Sequence, residues 1–133
     1  MKLADIEGIG PFYAEKLAAA GISTVEKLLQ AGGTPKGRKE IASKSGITDH
    51  LILEWVNRAD LYRIKGVGSE YSDLLESAGV DTVVELATRK AENLAKKMAE
   101  VNTQKNLVRQ LPSENQVAAW IEQAKTLPRN ISY

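Results

Sequence analysis

The sequence predicts an all-α protein built from two similar units, and three observations lead to this prediction. The stretch "IEGIGPFYAEKLAAAGI" at residues 6–22 returns as "IKGVGSEYSDLLESAGV" at residues 64–80. Apolar residues recur at helical spacing along the chain, and no segment has the two-residue alternation of a strand. A short amphipathic helix buries only one face, so several must pack together. We therefore expect a tandem repeat of two units with four or five short helices each, packed with pseudo-two-fold symmetry.

The repeat sets the expected domain boundaries. Residues 3–29 and 61–87 are identical at 11 of 27 positions, with a constant step of 58 residues. Further along, Trp55 pairs with Trp120 at a step of 65, so the second unit has 65 − 58 = 7 extra residues, which we place in "EVNTQKNLVRQLP". No Gly/Ser-rich linker separates the halves. The sequence predicts units at 1–60 and 61–133, either as two small domains or as one compact domain of 133 residues.

Prolines, glycines and capping residues predict where the helices begin and end. Pro11 suits the first turn of a helix that ends at Gly21. A short basic helix follows "AGGTP" and ends at Gly46, and Thr48 or Asp49 begins the next helix. Each expected capping box pairs a Ser or Thr with a Glu or Gln three residues later. The pairs are Ser23 with Glu26, Thr82 with Glu85, and Ser113 with Gln116.

Four aromatic residues stand at equivalent positions of the repeat. Trp55 and Trp120 are expected to anchor the cores, one in each unit, because a buried tryptophan contributes a large apolar area. Tyr13 and Tyr71 are expected to pack across the pseudo-dyad. The alternative for the tyrosines is a surface on which nucleic-acid bases stack.

Composition and motifs exclude several classes of protein. The chain has no cysteine and a single histidine, His50, which argues against disulfides, thiolate metal sites and histidine dyads. No segment is long and apolar enough for a membrane span, and the N-terminus lacks the apolar core of a signal peptide, so we expect a cytoplasmic protein. No phosphate-binding loop, nucleophile elbow or metal-binding histidine pair is present. We expect a non-catalytic protein with no metal site and no cofactor.

Each repeated stretch contains two glycines that flank one apolar residue and precede a helix. Glycine permits the backbone angles that a sharp turn between helices needs. Two glycines two residues apart also leave the turn bare, so amides at the positive end of the helix face outward and can receive a phosphate or a carboxylate. The same turn can serve close packing without a ligand.

The pattern of these stretches resembles the helix-hairpin-helix motif. That motif reads apolar–x–Gly–apolar–Gly–x–x–x–Ala, followed by a helix that ends in Gly–apolar. The positions that fit are Ile6, Gly8, Ile9, Gly10, Ala14, Leu17, Gly21 and Ile22 in the first copy, and Ile64, Gly66, Val67, Gly68, Leu75, Gly79 and Val80 in the second. Ser72 replaces the alanine in the second copy. Nearly the whole chain also resembles a bacterial family of domains of unknown function made from two such units, with a SAM-like, helix-hairpin-helix fold.

The resemblance implies sequence-independent DNA binding in which hairpin amides hold backbone phosphates, with a monovalent cation at the turn in some proteins. The residues that it assigns to this contact are Gly8, Ile9, Gly10, Gly66, Val67 and Gly68. This chain departs from the pattern where a basic residue is expected soon after the second glycine. Phe12 stands there in the first copy and Glu70 in the second. Residues 1–22 and 62–80 each have a net charge of −1.

Positive charge is concentrated in two other segments. Residues 34–45 and 88–98 each have a net charge of +3, although the whole chain is only +1. The candidate phosphate contacts in these segments are Lys36, Arg38, Lys39, Arg89, Lys90, Lys96 and Lys97. The alternative is two solvated helix faces on a nearly neutral protein. Weak, non-specific DNA binding is therefore the first functional hypothesis, and a protein-interaction or scaffold module with no nucleic-acid role is the second.

Overall fold

The computed structural model describes residues 2–133 and confirms an all-α fold. These residues form eight α-helices and one short 3₁₀ helix at Leu3–Asp5, and none of them lies in a strand. The α-helices are α1 (Gly10–Ala19), α2 (Val25–Gly32), α3 (Pro35–Ser45), α4 (Asp49–Leu61), α5 (Ser69–Ser77), α6 (Val83–Ala87), α7 (Ala91–Lys105) and α8 (Glu114–Thr126).

The chain divides into two compact units. One comprises Met1–Asp60 together with Arg129–Tyr133, and the other comprises Leu61–Pro128. Helices α1–α4 belong to the first, apart from the last residue of α4, and α5–α8 belong to the second. The five C-terminal residues thus group with the first unit, whereas the sequence places them at the end of the second.

The first unit is organised around a buried tryptophan. Trp55 in α4 is only 1% exposed, and the ring of Tyr13 in α1 packs on it with ring centroids 5.2 Å apart. Ile131 is also buried in this unit, and the amide of Ser132 donates a hydrogen bond to the Gly33 carbonyl at 2.8 Å. The C-terminal segment is therefore part of the first unit's packing.

The second unit has its own hydrophobic core, centred on α8. Trp120 is 3% exposed and lies 5.2 Å from the ring of Tyr71, measured between centroids. Leu75, Leu86 and Met98, from three different helices, are fully buried in the same core. The expectation of one tryptophan anchor per unit is confirmed by their burial. Each tyrosine ring packs on the tryptophan of its own unit.

Helix ends follow the predicted signals with one shift. Helix α1 has Pro11 in its first turn, and α3 ends at Gly46, which has a left-handed φ of 75°. The prediction that Ser23 caps α2 is wrong, because Thr24 is the cap and its hydroxyl oxygen accepts a hydrogen bond from the Lys27 amide at 3.0 Å. The shift has a simple cause: Thr24 has the extended backbone that a cap requires.

The second unit has the predicted caps at α6 and α8. Ser113 and Gln116 form a reciprocal capping box at the start of α8, as predicted. Thr82 accepts a hydrogen bond from the Glu85 amide at 3.3 Å. The Glu85 carboxylate accepts from the amide of Asp81 instead of that of Thr82, so the box there is not reciprocal.

The seven extra residues of the second unit are shared between a helix and a loop. Helix α7 has 15 residues, whereas α3, which follows the second helix of the first unit in the same way, has 11. Helix α7 ends at Asn106, whose φ of 50° is left-handed, and the chain then runs without helix until Ser113. The predicted insertion at "EVNTQKNLVRQLP" therefore lengthens α7 and adds a loop.

The described residues contain neither a membrane-spanning helix nor a cluster of potential metal ligands. Between residues 2 and 133, no helix is long and apolar enough to cross a membrane. The same residues contain no group of three or more His, Asp or Glu side chains that could hold a metal ion.

Candidate nucleic-acid interface

The turn around Gly8 and Gly10, called the hairpin turn of the first unit after the motif that its sequence resembles, is fixed by its first glycine and the apolar residue after it. Gly8 has a φ of 90°, and a Cβ built on it would lie 3.3 Å from Nε1 of Trp55. Ile9 is buried, and its amide donates a hydrogen bond to the Ile6 carbonyl at 3.1 Å. The Ile9 amide is thus engaged inside the turn and does not face a ligand.

The hairpin turn of the second unit has the same geometry at its first glycine. Gly66 has a φ of 96°, and a Cβ there would lie 3.2 Å from Nε1 of Trp120. The amide of Val67 donates to the Ile64 carbonyl at 3.1 Å, and the side chain of Val67 is buried. Ile9 and Val67, two of the predicted phosphate contacts, therefore hold the turns together with their amides.

The two turns differ at the second glycine. Gly10 has a left-handed φ of 57° and is the first residue of α1. Gly68 has a φ of −104° and a ψ of −163°, an extended conformation, and it precedes α5 as the N-cap. The chain therefore enters the two hairpin helices along different backbone paths.

Both hairpin helices begin without a side-chain cap. Ile9 and Gly68, the N-cap residues of α1 and α5, make no capping hydrogen bond through a side chain. By contrast, the helices that begin with a Thr or Ser whose hydroxyl oxygen accepts a first-turn amide are α2, α3, α6 and α8. The first-turn amides of the hairpin helices are therefore left to solvent or to an anionic ligand.

An exposed aromatic ring marks the hairpin of the first unit. Phe12 is 64% exposed, and Nζ of Lys16 lies 4.8 Å from the centroid of its ring, which is a cation–π contact. The ring of Tyr13 meets Phe12 edge-on, with centroids 5.2 Å apart. Residues 4–13 line an open groove of about 500 Å³ beside this ring. Lys16 was not among the predicted contacts, although its spacing of four residues from Phe12 on a helix indicates that the two side chains are neighbours.

The hairpin of the second unit has an acidic residue at the position where the first has the exposed ring. Glu70 stands at the position equivalent to Phe12 and is exposed in the first turn of α5. Leu74 replaces Lys16 at the next equivalent position and is fully buried. The cation that accompanies the first hairpin is therefore absent from this place in the second.

The basic segment of the first unit divides into exposed lysines and one buried arginine. Lys36 and Lys39 are exposed on α3. Arg38 is only 6% exposed, and its guanidinium donates hydrogen bonds to the carbonyls of Gly32 at 2.9 Å and Ser132 at 2.8 Å. Arg38 is therefore a structural residue rather than a phosphate contact, because its side chain is buried and its two terminal nitrogens bond backbone carbonyls inside the unit.

The basic segment of the second unit divides in a similar way. The guanidinium of Arg89 donates a hydrogen bond to the Gly79 carbonyl at 2.8 Å, and the side chain is half-buried. Nζ of Lys96 lies 3.6 Å from the carboxylate of Glu92, and both side chains are exposed. Lys90 and Lys97 are exposed as well. A surface ion pair of this kind contributes little energy and leaves Lys96 accessible.

The structure does not bring the hairpin turn and the basic helix of the first unit together. A cavity of about 330 Å³ lies between α2, α3 and the turn that follows α1, and Ala20, Gly21 and Ile22 form its wall at that turn. Residues of α3 on the opposite wall reach from Gly37 to Lys44. Helix α1 has 10 residues, so its length separates the hairpin turn from this end by about 15 Å.

The fold and these sites define a small all-helical protein with two four-helix units, each with a glycine turn packed on a tryptophan. The chain belongs to the family described as a domain of unknown function, DUF4332, whose model matches residues 7–127. No curated protein and no solved structure matches this chain.

Proposed function

We propose that this protein is a non-catalytic DNA-binding module that contacts DNA without sequence preference, mainly through its first unit. In this proposal each unit is a helix-hairpin-helix element, and the two units form a tandem repeat related by a pseudo-two-fold axis. The repeated sequence pattern and the matching turns at Gly8 and Gly66 support this assignment. The proposed contacts are the start of α1, the ring of Phe12 and the exposed lysines of α3.

The observation that carries the proposal is the combination at the start of α1. An uncapped helix start, an exposed ring and a nearby ammonium group lie within one short stretch, Gly10 to Lys16. Helix amides and a cation favour a phosphate, and an exposed aromatic ring favours a base or a sugar face. A positively charged site beside an exposed aromatic ring is typical of binding that follows the nucleic-acid backbone.

Lys36 and Lys39 extend the proposed contact. Both side chains are exposed, whereas the guanidinium of Arg38 is bonded inside the unit. In this proposal one DNA backbone contacts both the start of α1 and these two lysines. Arg38 and Arg89 are left out of the proposed contact set because their guanidinium groups hold backbone carbonyls.

The acidic hairpin of the second unit makes a smaller contribution in this proposal. Glu70 repels a phosphate at the place where Phe12 stands in the first unit. Lys90, Lys96 and Lys97 remain available on the surface of that unit for weak electrostatic contact.

Phe12 and Glu70 supply a matched test of this proposal. Fluorescence anisotropy with labelled single-stranded and duplex 20-mers at low salt would compare Phe12→Ala with Glu70→Ala. Loss of a stacked ring is worth about 1–3 kcal/mol per base, so Phe12→Ala should weaken binding by about five- to 150-fold. Glu70→Ala, at the equivalent position, should leave binding unchanged or strengthen it. Since Phe12 is exposed, its removal should not unfold the protein, and circular dichroism would verify this.

Two outcomes would contradict the proposal. One is an absence of wild-type binding to either DNA at low salt. The other is equal affinity of wild type and Phe12→Ala for both DNAs. Protein partners that survive nuclease treatment of a lysate, together with either outcome, would favour the scaffold alternative.

A further inference from the structure

Arg89 fills a space at the end of the hairpin helix in the second unit. Helix α5 ends in a turn at Gly79, whose φ is 95°, and the Gly79 amide bonds back to the Glu76 carbonyl. The Arg89 guanidinium covers this turn and donates a hydrogen bond to the Gly79 carbonyl at 2.8 Å. A Cβ on Gly79 would lie 3.3 Å from Nη2 of Arg89. The end of α5 is thus a binding site for a guanidinium group, and Arg89 of the same chain occupies it.

The first unit has the same turn without the arginine. Gly21 stands 58 residues before Gly79, has a φ of 89°, and its amide bonds back to the Ala18 carbonyl in the same way. Ala31 stands 58 residues before Arg89. A Cβ on Gly21 would meet nothing within 4 Å. The alanine therefore leaves open the space that the guanidinium occupies in the second unit.

This open space is the cavity of about 330 Å³ between α2, α3 and the turn that follows α1. Gly21 and Ala31 both line it, at the positions equivalent to Gly79 and Arg89, which are in hydrogen-bond contact in the second unit. Its volume is near the lower end of the range for small-ligand sites, roughly 300–1,000 Å³. Among residues 2–133, no group donates a hydrogen bond to the Gly21 carbonyl.

The walls of the cavity carry one acid and two bases. Glu40 contributes a carboxylate, and the carbonyls at the C-terminal end of α1 carry the negative end of the helix dipole. Lys27 and Lys44 also line the cavity. They are exposed, as Glu40 is, but their long side chains can keep the ammonium groups in water. A planar guanidinium can bridge a carbonyl and a carboxylate at once, which a lysine ammonium does less well.

We propose that the cavity between Gly21, Ala31 and Glu40 binds a guanidinium group supplied from outside the chain. The group donates to the Gly21 carbonyl, as Arg89 does to Gly79, and pairs with the carboxylate of Glu40. The two sources of this chemistry are a small guanidinium compound and an arginine side chain of a partner protein. The inference is independent of DNA binding, since the cavity lies at the opposite end of α1 from Phe12.

The test uses the full chain and two probes that each contain one guanidinium group, N-acetylarginine amide and an arginine-centred pentapeptide. Backbone amide NMR shifts would be followed during titration with N-acetylarginine amide, with N-acetyllysine amide as the matched control. The expected result is a Kd on the order of 1 mM for the arginine probe, with shifts centred on Gly21 and Glu40 and a response to lysine at least about tenfold weaker. An arginine-centred pentapeptide is the second arm: tighter binding than the single residue indicates a protein source, and equal binding indicates a small molecule.

Two reciprocal variants make the test specific. Ala31→Arg gives the first unit its own guanidinium, so it should retain or raise the melting temperature and abolish the response at Gly21. Arg89→Ala opens the equivalent space, so it should add a second set of shifts at Gly79. Glu40→Gln should weaken the binding of the arginine probe at least about threefold without unfolding the protein.

The proposal is overturned if the wild type shows no shifts at Gly21 and Glu40 with the arginine probe. It is also overturned if folded Ala31→Arg responds as the wild type does, or if inorganic phosphate shifts the same amides and arginine does not. None of these results bears on the DNA titrations with Phe12→Ala, so failure of one proposal is distinguishable from failure of the other.

Discussion

Individual glycines in this protein have different roles even where their backbone angles agree. Gly8 and Gly21 have φ values of 90° and 89°, so an alanine at either position is strained by the same conformation. The space around them differs, because a Cβ on Gly8 meets the indole of buried Trp55 at 3.3 Å, whereas a Cβ on Gly21 meets nothing within 4 Å. The pair therefore separates backbone strain from close packing.

Gly8→Ala should destabilise the protein more than Gly21→Ala. The left-handed conformation costs an alanine roughly 1–2 kcal/mol at either site, and crowding a packed core typically adds about 1–3 kcal/mol. The expected difference is at least about 1 kcal/mol in the free energy of unfolding, measured by urea denaturation of both variants. Equal losses of unfolding free energy would mean that the contact with Trp55 does not require a glycine at position 8.

Arg38 and Lys36 stand two residues apart in one basic segment, but replacement by alanine should destabilise the protein only at Arg38. Arg38→Ala leaves the buried carbonyl of Gly32 without its donor, and hydrogen bonds to charged groups contribute roughly 1.5–3 kcal/mol. The expected loss is about 2 kcal/mol of unfolding free energy. Lys36→Ala, on the exposed face, should change stability by less than about 0.5 kcal/mol. A stable Arg38→Ala variant would show that the guanidinium does not hold the C-terminal segment.

The chemical type of a residue did not reveal its role in the basic segments. Arg38 was grouped with Lys36 and Lys39 because all three are cations, yet only Arg38 is buried. A signal was present, because Arg38 and Ile41 are three residues apart and lie on one helix face. The C-terminal partner of Arg38, Ser132, lies outside the repeat, and no sequence pattern pointed to that contact.

At the scale of elements, the repeat predicts helix caps better than isolated capping motifs do. The step of 58 pairs Thr24 with Thr82, and both cap their helices. The capping-box pattern alone pointed to Ser23, because Glu26 follows it by three residues. Helix starts at Ser113 and near Thr48, and helix ends at Gly46, followed directly from the sequence.

Thr24→Ala should destabilise the protein and Ser23→Ala should not. Loss of a threonine cap costs about 1 kcal/mol, because an amide in the first turn of α2 loses its acceptor. Ser23 is exposed and caps nothing, so its replacement should stay within about 0.5 kcal/mol. Thermal unfolding of the two variants would check this. A larger loss at Ser23 would place the start of α2 one residue earlier.

The two glycine turns were predicted in outline but not in detail. Their glycines, their buried apolar residues and their order followed from the sequence pattern. The different conformations of Gly10 and Gly68 did not, since the two residues are identical and their neighbours differ only in bulk and charge. The exposure of Phe12 was also unpredicted, because an aromatic residue in an apolar helix is ordinarily buried.

At the scale of the whole molecule, charge is distributed unevenly on a nearly neutral chain. The net charge is +1, yet residues 34–45 and 88–98 each have a net charge of +3, and residues 62–80 have a net charge of −1. Local fields of this kind govern association with nucleic acid more than net charge does. The C-terminal residues Arg129–Tyr133 group with the first unit, which also contains the proposed DNA contacts.

The salt dependence of DNA binding tests the central claim most directly. Each lysine that neutralises a phosphate of duplex DNA adds about −0.9 to the slope of log K against log salt. Lys36→Gln/Lys39→Gln should therefore reduce the magnitude of the wild-type slope by about 1.8, whereas Lys125→Gln, an exposed lysine in the last turn of α8, should leave it unchanged. A double variant with the slope and affinity of the wild type, or a wild type whose binding does not depend on salt, would contradict the account.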